Sequence, residues 1–267
     1  MTPNQPFPMK SPRICSSLAL ASLLCLSSRV SAQISPAPKP PQAQPSIHAL
    51  FDGILKKHVR GGLVAYPQIR KQDQTTLRSY LESMSQVDVI KLPRKAQLAF
   101  YLNVYNAAMI QAVLDHTAKN PKWTPAANEF AVFKEKRVKL SGGATTLLHL
   151  KNQILRSKFK DARMHGALVS GGLSCPPLLA RAYVAKDLDK QLDANLKAFL
   201  RDPQRNQIDA TTKTVRLSKL FEELAKDFGG EAGIRRLLKR EFGDAVARYK
   251  IAYLPHSWQL NAQPTKQ

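Results

Sequence analysis

The stretch 93–118 constrains this chain more than any other part of it. Pro93 is preorganised for a first helical turn, and Leu98, Tyr101, Leu102, Tyr105, Ala108, Met109, Ala112 and Val113 then recur at helical spacing as far as Asn120-Pro121, which stops the helix. So long an apolar stripe predicts a core helix, around which the other elements must pack. Asn103 and Asn106 stand one turn apart on it and interrupt the apolar pattern. A buried amide needs hydrogen-bond partners, so these two either serve backbone in a neighbouring loop or orient a reactive side chain.

Residues 1–32 carry Lys10 and Arg13 without an acid, then an apolar run over 14–26 and a small-residue Val30-Ser31-Ala32 cleavage pattern. This is the signature of a secretion signal, and it predicts an exported, periplasmic or secreted mature protein. Residues 33–47 hold Pro36, Pro38, Pro40, Pro41 and Pro45, a composition suited to an extended tether. One domain over 48–262 and a short tail at 263–267 remain. No segment approaches the roughly 18 apolar residues a membrane-spanning helix needs. Cys15 and Cys25 fall in the leader, so Cys175 has no intrachain partner in the mature chain and a hydrophobic core must stabilise the fold.

Local signals predict a hairpin over 129–140, a helix over 146–158, a short buried strand over 164–169, a tight turn at Gly171-Gly172 and a long helix over 176–200. A second hairpin over 206–217 follows, then a helix capped by Ser218, another ending at Phe242, and a closing strand over 247–254. The class expected is α+β: a helix-rich single domain with several short strands and hairpins.

The formal net charge is +22, and removing Lys10, Arg13 and Arg29 from the 41 bases leaves 38 against 19 acids. Such a protein is drawn to anionic surfaces, which makes an envelope polymer or a lipid surface a candidate partner. The basic clusters are scattered and lack interleaved aromatics, which argues against a nucleic-acid groove and for a solvated basic surface.

Chemistry is concentrated in Met164-His165-Gly166-Ala167-Leu168-Val169-Ser170-Gly171-Gly172-Leu173-Ser174-Cys175-Pro176-Pro177. A thiol reacts as thiolate, which a helix N-terminus starting at Pro176 would favour. Gly171 and Gly172, with Ser174, form a turn whose N–H groups could face an oxyanion. His165 is the candidate base for Cys175, with Asn103 or Asn106 the candidate orienting group. The plainer reading makes Cys175 a small buried hydrophobe and His165 a core residue bonded to a carbonyl. The six histidines show no ligand spacing for a metal, and no cofactor motif is present.

Ala99-Phe100-Tyr101-Leu102-Asn103-Val104-Tyr105-Asn106-Ala107, the His165 to Leu178 block and the closing Trp258-Gln259-Leu260-Asn261 together resemble the domain of unknown function 547 family. The resemblance brings a motif set without an established reaction. It departs from that family's usual pattern at Leu150-Lys151-Asn152, where a glutamate and a histidine are common, at Val169-Ser170, where an Asn-Cys pair is common, and at His256-Ser257, where Tyr-Asp is common. If the family's glutamate orients the histidine, Lys151 cannot, because an ammonium only donates and repels an imidazolium. Two functions follow. One is an exported Cys-His hydrolase or acyltransferase for an amide, ester or peptide bond. The other is an inactive basic module that binds an anionic envelope polymer or a partner protein.

Overall fold

In the computed structural model the 93–118 stripe becomes the helix Arg94–Lys119, with Pro93 as its N-cap and Asn120 as its C-cap. Every residue from Leu98 to Ile110 is buried, so this helix is enclosed on all sides, as its near-continuous apolar composition requires. The structure describes residues 46–135 and 137–264; the predicted leader, all but the end of the predicted tether, Lys136 and the residues from 265 lie outside the described residues. The helices Ala49–His58, Tyr66–Gln72 and Gln74–Ser85 lead into the central helix and share its core, with Phe51 stacked on Tyr80 at 5.2 Å.

A second apolar cluster, built from Leu196, Phe199, Leu200, Val215, Leu217, Phe221, Phe228, Ile234 and Leu238, lies under a three-stranded sheet. Its strands are Gln207–Asp209, Thr214–Ser218 and Lys250–Leu254 in that order, the first pair antiparallel and the second parallel. The helix Gly230–Phe242 lies in the crossover between the parallel pair and supplies Ile234 and Leu238. The helix Leu188–Arg201 belongs to both cores: Leu188 and Leu192 face the first, Leu196, Phe199 and Leu200 the second. Truncating a fully buried Phe such as Phe199 at this junction costs about 3–5 kcal/mol. The class is that expected, a helix-rich α+β domain with short strands.

Three local expectations are corrected. The 129–140 hairpin is instead formed by Val138–Leu140 and Gly143–Thr145, with Leu140 opposite Gly143 around a Ser141-Gly142 turn. The chain before it cannot be a strand, because Asn128, Glu129 and Phe130 all adopt left-handed backbone. The 164–169 stretch is a 3-10 turn, Ala162–Gly166, followed by irregular chain. It starts where Asp161 accepts from the Arg163 N–H, and the apolar run reflects burial from all sides without strand pairing.

The third correction bears on the site: no helix begins at Pro176, and regular helix starts only at Leu188. Pro176 itself precedes a proline, which disfavours the helical region there and biases the Pro-Pro pair toward extended chain. Cys175 therefore sits in a loop and not at a helix N-terminus. The predicted 146–158 helix does form. Thr146 Oγ1 accepts from the His149 N–H at 3.0 Å, and the chain continues as a π-helical segment, Leu150–Phe159, that carries Lys151 and Arg156.

Candidate functional site

The chain from 162 to 187 is buried over much of its length yet has little regular structure, so its backbone polar groups need partners from elsewhere. Side-chain amides provide them. Asn106 Nδ2 donates to the Ala167 carbonyl at 2.9 Å while its Oδ1 accepts from the Val169 N–H at 3.0 Å. Asn103 does the same for both backbone groups of Tyr183, at 2.8 and 2.9 Å. Asn195 donates to the Gly166 carbonyl, and Gln191 bridges Ala182 and Val184. Asn103 and Asn106 are thus loop clamps whose amides are committed to backbone, not groups that hold the imidazole.

The closing Trp258-Gln259-Leu260-Asn261 segment lies along the turn before the cysteine. The Leu173 N–H donates to the Gln259 carbonyl at 2.6 Å, the Ser174 N–H to the Ser257 carbonyl at 3.2 Å, and the Asn261 N–H to the Gly171 carbonyl at 3.0 Å. The Ser257 N–H in turn donates to Ser174 Oγ at 2.8 Å. Ser174 is therefore a clamp and not an oxyanion donor, and the Cys175 N–H is likewise used, on the Gly172 carbonyl. The N–H groups of Gly172 and Ser170 are the ones that turn toward the Cys175 sulfur. Gly171 has φ +80°, and a Cβ on Gly172 would stand 3.2 Å from both the Ser257 carbonyl and the Trp258 ring and 3.6 Å from Sγ. Both glycines are required by geometry.

Cys175 is 4% exposed, and burial holds its thiol above the ordinary range. The two backbone N–H groups, then Lys151 and Arg205, pull in the opposite direction. His165 is 1% exposed, and its Nε2 lies 2.7 Å from Asp227 Oδ2. Arg156 grips the same carboxylate with two hydrogen bonds, at 2.6 and 2.9 Å, and this above all holds Asp227 down to about 2. An ionised carboxylate can only accept, so Nε2 must carry the proton, and Nδ1 of a neutral imidazole is left as an acceptor. The ring is neutral at physiological pH, because burial, against the pull of Asp227, lowers it to about 4. Nδ1 is buried and has no hydrogen-bond partner among the described residues, Cys175 Sγ included. Asp227, outside every motif read from the sequence and 62 residues beyond His165, was missed because no spacing rule connects them.

His165 and Cys175 line one small cavity of about 50 Å³, with Lys151, Ser170, Glu223, His256 and Trp258 among its other walls. That volume has room for little more than a water molecule. Lys151, Ser170, Glu223 and Trp258 also line a second cavity of about 330 Å³, so the two abut. The outer one is walled by Tyr105, Phe130, Phe133 and Trp258, with the Phe130 and Trp258 rings edge to face at 4.9 Å. Phe130 is the last of three successive left-handed residues, a strained tripeptide set against a cavity wall. His256 packs on Trp258 at 4.3 Å, and both of its ring nitrogens are buried without partners among the described residues. A larger cavity of about 640 Å³ opens elsewhere, beside Val89, Ile90 and the turn of the 138–145 hairpin, and contains none of these groups.

Residues 89–200 match the model of the family described as "Protein of unknown function, DUF547". The chain carries a DUF547 domain over that segment. The DUF547 match takes in the central helix with both clamping asparagines, His165 and Cys175, while Asp227 and the closing Trp258 segment lie beyond it. No match to the chain was found among curated proteins or among solved structures. Among the described residues no group of three or more His, Cys, Asp or Glu is arranged to hold a metal ion. None of the described helices is long and apolar enough to cross a membrane.

Proposed function

We propose that this site carries out acyl transfer by a Cys-His-Asp relay, as a hydrolase or acyltransferase acting on an amide, ester or peptide bond of an envelope substrate met after export. One observation carries the reading: a neutral imidazole, anchored through Nε2 by an ionised carboxylate and with its only lone-pair nitrogen unpartnered among the described residues, lines the same cavity as the thiol. His165 Nδ1 takes the proton from Cys175 as the sulfur attacks the substrate carbonyl carbon. The thiolate character that develops is stabilised by the Gly172 and Ser170 N–H groups. The imidazolium then protonates the leaving amine or alkoxide as its bond to carbon breaks. Water or an acceptor nucleophile, deprotonated by the same imidazole, releases the acyl group and regenerates the thiol.

The test is iodoacetamide alkylation of native protein, read at Cys175 by mass spectrometry. With His165 already neutral above about pH 5, base-assisted alkylation keeps its rate between about pH 6 and 8. It falls about 100-fold in His165→Gln and substantially in Asp227→Asn. A thiol that is modified only on unfolding, or whose rate climbs about tenfold per pH unit regardless of residue 165, removes the reading.

A basic binding module is the second reading. The enclosed thiol, raised by burial, and the 38 bases against 19 acids beyond the leader favour it. Retention on an acidic polysaccharide that fades steeply with added salt is its expected signature, and salt-insensitive or absent retention rejects it.

A further inference from the structure

Lys151 is the cation on the wall shared by the two cavities, Lys134 lining only the outer one, and the relay leaves it without a task. It looks inward on Cys175, His165 and His256 and outward on Tyr105, Phe130, Phe133 and Trp258. Among the described residues its ammonium makes no ion pair within 4 Å. Of the charged groups that act on it, Arg156 is of like sign, and Asp227 is already held by Arg156 and His165. Glu223, on the same wall, is exposed and pairs with no cation within that distance among the described residues. Burial accordingly pushes the Lys151 ammonium down. An ammonium half-withdrawn from water beside aromatic rings and without a counter-ion is relieved by an anion brought to it.

We infer that Lys151 is a specificity residue that pairs with a carboxylate on the substrate while the Tyr105, Phe130, Phe133 and Trp258 wall takes an apolar group next to it. The ligand class is an apolar or aromatic carboxylate, and the bond to be cleaved is an amide or ester adjacent to a free carboxylate. The consequence for catalysis rests on the proposed thiol reaction; the binding does not.

The test uses phenylacetate and its uncharged isostere phenylacetamide, titrated into the Cys175→Ala protein and followed by the Trp258 indole N–H resonance. Phenylacetate is expected to bind at least about tenfold more tightly, a preference that Lys151→Met reduces to less than about twofold and that Glu223→Gln leaves intact or enlarges. Should Lys151→Met fold poorly, the unsubstituted lysine protein decides: the preference must shrink as salt rises to about 0.5 M. Equal binding of the two probes, a preference indifferent to salt, or no binding of either overturns the inference. Because the thiol is absent from this assay, an unreactive Cys175 defeats the proposed reaction and leaves carboxylate selectivity standing on its own result.

Discussion

Replacing Asn106 by alanine separates the two roles an amide on the central helix could have. The side chain, 2% exposed, satisfies the Ala167 carbonyl and the Val169 N–H simultaneously. Deleting it strands two buried backbone groups, each worth about 1–3 kcal/mol when unsatisfied. Alanine returns about 0.5 kcal/mol through better helix propensity, so the net loss should be about 2–5 kcal/mol. Urea unfolding followed by circular dichroism should therefore show a midpoint lowered by about 1–2 M with little change in slope. Asn106→Asp should recover only part of the loss, because a carboxylate still accepts from Val169 but cannot donate to Ala167. In the fraction that remains folded, the pH profile of Cys175 alkylation should keep its shape, since a clamp does not touch the imidazole. A midpoint shift below about 0.5 M, or a displaced pH profile without loss of stability, would refute the assignment.

Acid should weaken the fold well above the carboxylate range. His48 and His165 are both held at about 4 against 6.5 for an exposed imidazole, by burial in each case. The unfolded chain takes up these protons first, so the stabilisation is complete above about pH 6.5 and is lost as pH falls toward 4, at about 2–3 kcal/mol per histidine by pH 4.5. Urea midpoints at about pH 7 and 4.5 measure it; His48→Gln and His165→Gln should each flatten part of the slope, and equal midpoints would contradict the burial argument. Gly171→Ala should cost about 1–3 kcal/mol, because φ is +80° and the new Cβ would meet Met109 Cε at 3.1 Å and Pro125 Cγ at 3.2 Å. Thermal melting checks it, and an unchanged midpoint would mean that the turn relaxes freely.

The central helix was legible because a 3.6-residue period, a proline at its start and Asn120-Pro121 at its end all agree. The helix over 146–158 and the antiparallel pair Gln207–Asp209 with Thr214–Ser218 were legible for similar local reasons. The loop around the cysteine was not. Its apolar run looks like a strand and its prolines like a helix start, yet its hydrogen bonds go to Asn106 and Asn103, 61 to 80 residues away, and to the closing segment. Two prolines in succession were the one local signal against a helix there. In the site itself, His165 and Cys175 could be named from sequence, whereas Asp227 and Arg156 enter only through the tertiary fold.

Burial of both sulfur and imidazole looks at first like an argument against chemistry, but it selects between two kinds of thiol site. A resting thiolate–imidazolium pair would place two charges in this closed cavity, and Lys151 acts oppositely on them, favouring the thiolate and disfavouring the imidazolium. The pair of lower energy here is the neutral one, thiol and imidazole, which suits deprotonation in step with attack and not a standing nucleophile. A carboxylate seated on Lys151 would cancel the charge that most opposes the imidazolium after burial itself. His165 would then be a stronger base when the cavity is occupied than when it is empty, so the same lysine that selects the substrate would also confine reactivity to the bound state.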